Sequence, residues 1–218
     1  MASISRKSDA ATLALYRMAL DNATSQPDIS AIMADMGYDS TRIAEGKTLL
    51  AKAQEAFDKN VTEDDESSAA FADFVDKRNQ LDSYYSIHRK KARVLYRKDT
   101  QTSDLLAISG NFPRTFISWF MAIRKFYTEA LSNSAIQARL ATLKVTLDEL
   151  NAANTLISKV DEARIAYQRE RGESQDATKA KDATIALLDS WMSEFYAVAR
   201  IGLDDRPQLL EALGKVVR

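Results

Sequence analysis

The feature that most constrains this fold is a repeat within the sequence. When the chain is aligned with itself at an offset of 107 residues, segment 48–56 falls on 155–163 with five of nine residues identical. Segment 81–93 falls on 188–200 at the same offset, with six of thirteen identical. No gap is needed between these blocks, so we interpret the chain as a tandem duplication. The period is far longer than the roughly 20–50 residues of solenoid repeats.

The duplication predicts how the chain is divided. We take residues 1–110 as the first helical repeat and residues 111–218 as the second, related by pseudo-two-fold symmetry. Two copies of one helical unit can bury their equivalent apolar faces against each other, as the subunits of an isologous dimer do. Because no Gly-, Ser- or Pro-rich linker separates the copies, we expect one shared core and a single compact unit.

Apolar residues recur at helical spacing in both copies, and no long stretch alternates with period two, which predicts an all-α fold. Cap-like and breaker residues at Thr62 and Gly172 divide the long periodic segments. We therefore expect two antiparallel hairpins that together form an elongated antiparallel helical bundle. The hairpins would pair 39–59 with 64–98, and 146–170 with 174–202. The remaining predicted helices are 6–23, 27–36, 102–108, 113–131, 134–143 and 206–215.

Composition excludes several kinds of site. The chain has no cysteine and one histidine, which rules out disulfides, zinc thiolate sites and the paired histidines of HExxH zinc helices. The 30 basic and 31 acidic side chains leave a net charge of −1, so nucleic acid is an improbable partner. We predict no catalytic residue, no metal ligand and no cofactor.

The sequence also carries no signal for a membrane. No segment approaches the roughly 18 consecutive apolar residues of a transmembrane helix, and residues 1–20 lack the apolar core of a secretory signal. We expect a soluble, cytoplasmic protein.

Two features of segment 88–98 have a structural and a functional interpretation. His88 falls on Phe195 at the repeat offset, which favours a buried histidine with one hydrogen bond over a general base or metal ligand. A run of cations follows it near a predicted helix end, where positive charge complements the helix dipole. We interpret the run as a solvated face, with phosphate or nucleic-acid binding as the alternative. Its members are Arg89, Lys90, Lys91, Arg93, Arg97 and Lys98.

Aromatic residues concentrate in one segment, 112–127, where Phe116, Trp119 and Phe120 fall on one helical face. Large aromatic side chains mostly contribute to cores, so we expect this helix to be buried. The same residues, with Tyr84 and Trp191, are our candidates for a ligand pocket or a partner interface.

Asp82 and Asp189 occupy the same position in the two copies. We expect each aspartate to pair with an arginine, Arg93 or Arg200, of a neighbouring helix. The alternative is that the two carboxylates face each other as an acid–base or metal site.

These observations favour a non-enzymatic helical scaffold that binds another protein or itself. The first alternative is a small-molecule carrier or sensor with an apolar pocket between the repeats. The second is a metal-assisted enzyme that uses Asp82 and Asp189.

Overall fold

The fold, taken from a computed structural model that describes residues 8–215, consists of α-helices joined by short turns, and the described residues contain no strand. The prediction of an all-α fold is confirmed. In chain order the helices are α1 (Asp9–Ser25), α2 (Pro27–Asp35), α3 (Ser40–Leu95), α4 (Thr100–Leu105), α5 (Phe116–Ser132), α6 (Ser134–Ala141), α7 (Leu147–Gly202) and α8 (Leu209–Ala212). The first two residues of the predicted helix 6–23 lie outside the described residues.

The two predicted helical hairpins are wrong, because α3 and α7 are each one continuous helix of 56 residues. Thr62 does not cap a helix: its hydroxyl donates to the backbone oxygen of Asp58 one turn earlier, at 3.2 Å. Gly172 stays within α7, where a glycine costs only about 1 kcal/mol relative to alanine. Neither residue is enough to end a long helix that packs along its length.

The described part of the chain divides into two units. Unit 1 lies within Met1–Asp65 and Arg171–Arg218, and unit 2 is Glu66–Glu170. Each unit therefore takes part of α3 and part of α7. We expected one shared core, whereas the described buried side chains form two clusters, one in each unit. The division of the sequence into repeats 1–110 and 111–218 stays a prediction.

In unit 1, the first part of α3 and the last part of α7 run antiparallel. Arg42 lies 3.7 Å from Glu194 at one end of this pair, and Asn60 donates to the hydroxyl of Thr178 at 3.1 Å further along. Helices α1 and α2 complete the buried cluster. Its fully buried side chains include Leu20, Ile29, Met33, Met192 and Phe195.

In unit 2, the last part of α3 and the first part of α7 are also antiparallel. The rings of Phe71 and Tyr167 lie 5.1 Å apart at one end, and His88 lies 3.8 Å from Glu149 at the other. Helices α5 and α6 cover the pair. The fully buried side chains include Leu81, Tyr85, Ile123, Phe126 and Tyr127.

Candidate functional site

The aromatic face of α5 lies in the core of unit 2. Trp119 and Phe120 are buried, and Phe116 is partly buried with its ring stacked on Phe120 at 5.4 Å. Thr115 caps the helix by accepting from the backbone N–H of Ser118. The expected burial of this helix is confirmed, and a ligand-binding role for its aromatic side chains stays a prediction.

The two other aromatic candidates belong to different units. Trp191 is buried in unit 1, stacked on Phe195 at 5.6 Å and in edge contact with Tyr38 at 5.5 Å. The indole lies directly against Gly46, whose missing side chain makes room for it. Tyr84 is partly buried in unit 2, next to the ring of His88. Of the five aromatic candidates, Tyr84 thus lies beside the histidine.

His88 is buried, as its position on the apolar stripe predicted, and both of its ring nitrogens face polar groups. Nδ1 lies 3.0 Å from the hydroxyl of Tyr127, and Nε2 lies 3.8 Å from Oε2 of Glu149. A neutral imidazole that accepts from the Tyr127 hydroxyl and carries its proton on Nε2 suits both neighbours. Burial keeps the pKa of His88 below its usual value, although the Glu149 carboxylate partly opposes this effect.

A surface hollow of about 180 Å³ lies over this histidine. Tyr84 and Ile87 form an apolar part of its wall, and Lys91 and Glu149 bring one positive and one negative charge to it. The ammonium of Lys91 also donates to the backbone oxygen of Lys144 at 3.4 Å, which links α3 to the turn before α7. We call this the His88 hollow. It is lined by Ser83, Tyr84, Ile87, His88, Lys91 and Glu149.

Arg89 departs from the solvated-face interpretation of the basic run. It is 5% exposed, and its Nη2 donates to the backbone oxygens of Ile108, Gly110 and Asn111 at 3.2, 3.0 and 3.3 Å. The buried guanidinium therefore holds the loop after α4 against α3. A signal for this role exists in the sequence, since Arg89 falls on Tyr196 at the repeat offset, and Tyr196 is a buried position.

Asp82 and Asp189 do not have the arginine partners that we expected; within residues 8–215 neither aspartate forms an ion pair with an arginine. The carboxylate of Asp82 accepts from the indole N–H of Trp119 at 2.7 Å. That of Asp189 accepts from the hydroxyl of Tyr16 at 2.8 Å, and this contact and burial raise the pKa of Tyr16. Each aspartate thus anchors an aromatic side chain within its own unit.

Unit 1 contains an open groove of about 680 Å³ between α3 and α7. Charged side chains of both signs line it, among them Lys52, Glu55 and Asp176. This lining differs from the apolar wall that a carrier of hydrophobic molecules needs.

No family model matches this chain, and the comparisons found neither a similar curated protein nor a similar solved structure. None of the helices within residues 8–215 is long and apolar enough to cross a membrane.

Proposed function

We propose that this protein is a non-enzymatic helical module that binds a partner protein through the surface around the His88 hollow. The observation that carries the proposal is a small cavity with a partly apolar wall next to exposed apolar side chains of the same helix. Interfaces commonly place most of their binding energy in a few anchor side chains that fill such cavities.

The surface beside the hollow is suited to such contacts. Ile87 and Val94 are 51% and 70% exposed, and with Lys91 they lie at i, i+4 and i+7 on one face of α3. A volume of about 180 Å³ accommodates one leucine, methionine or phenylalanine side chain. Lys91 would attract a carboxylate next to that anchor. The partner is therefore an amphipathic segment with one large apolar side chain and a nearby acidic residue.

A catalytic role for His88 has weaker support. A general base must reach the proton that it removes, whereas the His88 side chain is 3% exposed and its Nδ1 is engaged by Tyr127. The polar contacts of this residue support a role in shaping the floor of the hollow.

Selection from a displayed library of random peptides tests the proposal without a known partner. We expect enrichment of peptides with a leucine, methionine or phenylalanine anchor, whose binding is lost in Ile87→Asp. Leu187→Asp is the matched control, because Leu187 is also an exposed aliphatic residue, 62% exposed, but belongs to unit 1. Failure to enrich such peptides, or equal binding to both variants, would contradict the proposal.

We further propose that the chain is a tandem duplication with pseudo-two-fold symmetry. The bounds of the helices support this proposal, because α1 and α5 each have 17 residues, α3 and α7 each have 56, and both pairs begin 107 residues apart. Turns with positive φ agree as well. Gly37 matches Lys144, and Ala107 matches Gly214, at the same offset.

The two alternative functions have less support. The hydrogen bonds from Trp119 to Asp82 and from Tyr16 to Asp189 occupy the carboxylates that a metal-assisted enzyme would use. For a carrier, the groove of unit 1 offers a mainly charged lining. Neither alternative has an observation that favours it over partner binding.

A further inference from the structure

We propose that unit 2 carries a binding pocket for a phosphomonoester at the end of α3, separate from the His88 hollow. The pocket has a volume of about 240 Å³. Two guanidinium groups and three hydroxyl-bearing side chains line it, a set of donors suited to a phosphoryl group. The lining residues are Arg93, Arg97, Thr100, Ser103, Ile108 and Ser109.

Both arginines of the pocket are available to a ligand. Arg93 and Arg97 are exposed, and within residues 8–215 neither forms an ion pair or a side-chain hydrogen bond. An arginine guanidinium presents paired N–H donors whose spacing matches two oxygens of a phosphoryl group. Two such groups, four residues apart at the end of one helix, can engage one dianionic group together.

The carboxylates nearest in sequence have other partners. Asp99 accepts from the backbone N–H and the hydroxyl of Thr102 at 3.0 and 2.7 Å, and these bonds lower its pKa. Asp104 accepts from the hydroxyl of Ser109 at 2.5 Å. Neither carboxylate lines the pocket, so the charge that faces a ligand is positive.

The pocket is built from a fixed loop. The buried guanidinium of Arg89 holds the backbone of the loop after α4 through Ile108 and Gly110. Ser103 donates to the backbone oxygen of Tyr96 at 3.1 Å, which ties α4 to the end of α3. Preorganised walls reduce the ordering cost of binding a small ligand.

The charge of the neighbouring sequence agrees with an anionic ligand. Residues 89–98 contain six cations and no carboxylate. The carbonyl end of α3 has partial negative charge, equivalent to about half an elementary charge, which the cations outweigh. The chain as a whole has a net charge of −1, so the positive field is confined to this region.

A small phosphomonoester fits better than a nucleic-acid backbone. A confined pocket can surround a terminal phosphoryl group, whereas a nucleic-acid strand is usually bound along an extended basic groove with aromatic stacking platforms. Phosphoserine and a sugar phosphate represent two sources of the same group, one from a modified protein and one from metabolism.

The corresponding positions of unit 1 lack these donors. At an offset of 107 residues, Arg97 falls on Asp204, Thr100 on Pro207 and Ser103 on Leu210, while Arg93 falls on Arg200. One cation is retained, but the second is replaced by an anion and two hydroxyls are lost. Arg200 therefore provides a matched control position.

The test is a titration of the full-length protein in phosphate-free buffer of low ionic strength, followed by the ¹H–¹⁵N signals of the arginine Nε–H groups. The probes are inorganic phosphate, phosphoserine, glucose 6-phosphate and a single-stranded oligonucleotide. We expect saturable shifts with the phosphomonoesters, weakened about tenfold or more in Arg97→Gln and absent in R93Q/R97Q. Arg200→Gln should bind like the wild type, and R93K/R97K should retain part of the affinity.

The preferred phosphomonoester identifies the source of the group. Absence of saturable binding in the wild type would overturn the proposal, as would unchanged binding in R93Q/R97Q with its far-UV circular dichroism intact. Binding of the oligonucleotide without binding of any phosphomonoester would also overturn it, in favour of a nucleic-acid site.

Discussion

The contact between Gly46 and Trp191 gives the sharpest test of packing in unit 1. A Cβ atom added to Gly46 would lie 2.5, 2.6 and 2.9 Å from three ring carbons of Trp191. The indole cannot easily move, because it stacks on Phe195 at 5.6 Å and meets the edge of Tyr38 at 5.5 Å. Gly46→Ala must therefore shift a buried aromatic cluster or bend α3.

The expected magnitude follows from two opposing effects. Replacing a glycine by alanine within a helix stabilises it by about 1 kcal/mol. Overpacking a core costs about 1–3 kcal/mol, and three contacts below 3.0 Å place Gly46→Ala near the upper end. We expect a net loss of about 1–2 kcal/mol. Gly172→Ala is the control, because no atom lies within 4 Å of its added Cβ, and it should gain about 1 kcal/mol.

Both glycines lie in unit 1, and so does Trp191, while the second tryptophan, Trp119, lies in unit 2. Urea unfolding followed by fluorescence in a Trp119→Phe background therefore reports on the unit that contains both substitutions. A Gly46→Ala protein at least as stable as its parent would refute the packing argument. So would a shift of the urea midpoint in the same direction for both glycine variants.

The duplication suggests a rescue of the same substitution. At the repeat offset, Gly46 falls on Ala153 and Trp191 on Tyr84, so the second copy combines alanine with a smaller aromatic ring. Adding Trp191→Tyr to Gly46→Ala should therefore restore part of the lost stability. Because this variant loses the indole, its unfolding is followed by circular dichroism.

Three further predictions concern single contacts. Because the pKa of His88 is lowered in the folded protein, the unfolded chain binds the proton more readily, so the free energy of unfolding should fall as the pH drops below about 6.5. His88→Phe should flatten this slope in urea midpoints measured from about pH 8 to pH 5, and an unchanged slope would contradict the assignment. Arg89→Met removes the donor to three backbone oxygens and should cost about 2–4 kcal/mol, measured by Trp119 fluorescence; a loss below about 1 kcal/mol would be inconsistent with the buried contact. Asp82→Ala leaves the indole N–H of Trp119 without its acceptor at 2.7 Å and should cost about 1–2 kcal/mol, with Asp82→Asn as the milder control; equal urea midpoints for Asp82→Ala and the wild type would argue against this bond.

Sequence periodicity was sufficient to predict the helices, since apolar spacing depends on local geometry. It was not sufficient to predict their continuity. Thr62 and Gly172 resemble helix ends, but whether a helix ends there depends on packing elsewhere along its length. The division into units was also beyond local reasoning, because it depends on which distant segments contact each other.

The candidate sites show the same limit. The burial of α5 followed from its aromatic spacing, and the buried His88 followed from its position opposite Phe195 in the repeat. The role of Arg89 was missed because its neighbours in sequence are exposed cations, such as Lys90. Only the folded chain brings Arg89 to the backbone of residues 108–111.

The way the chain is distributed between the units sets an order for folding during synthesis. Unit 2 is the continuous segment Glu66–Glu170, whereas unit 1 joins segments from the two ends of the chain. The contact between Tyr16 and Asp189, for example, spans 173 residues. On the ribosome, unit 2 can therefore begin to form before the last quarter of the chain exists, while the N-terminal helices must wait for their partner segment. Until translation ends, the apolar faces of α1 and α2 stay uncovered and are the part of the nascent protein most in need of a chaperone.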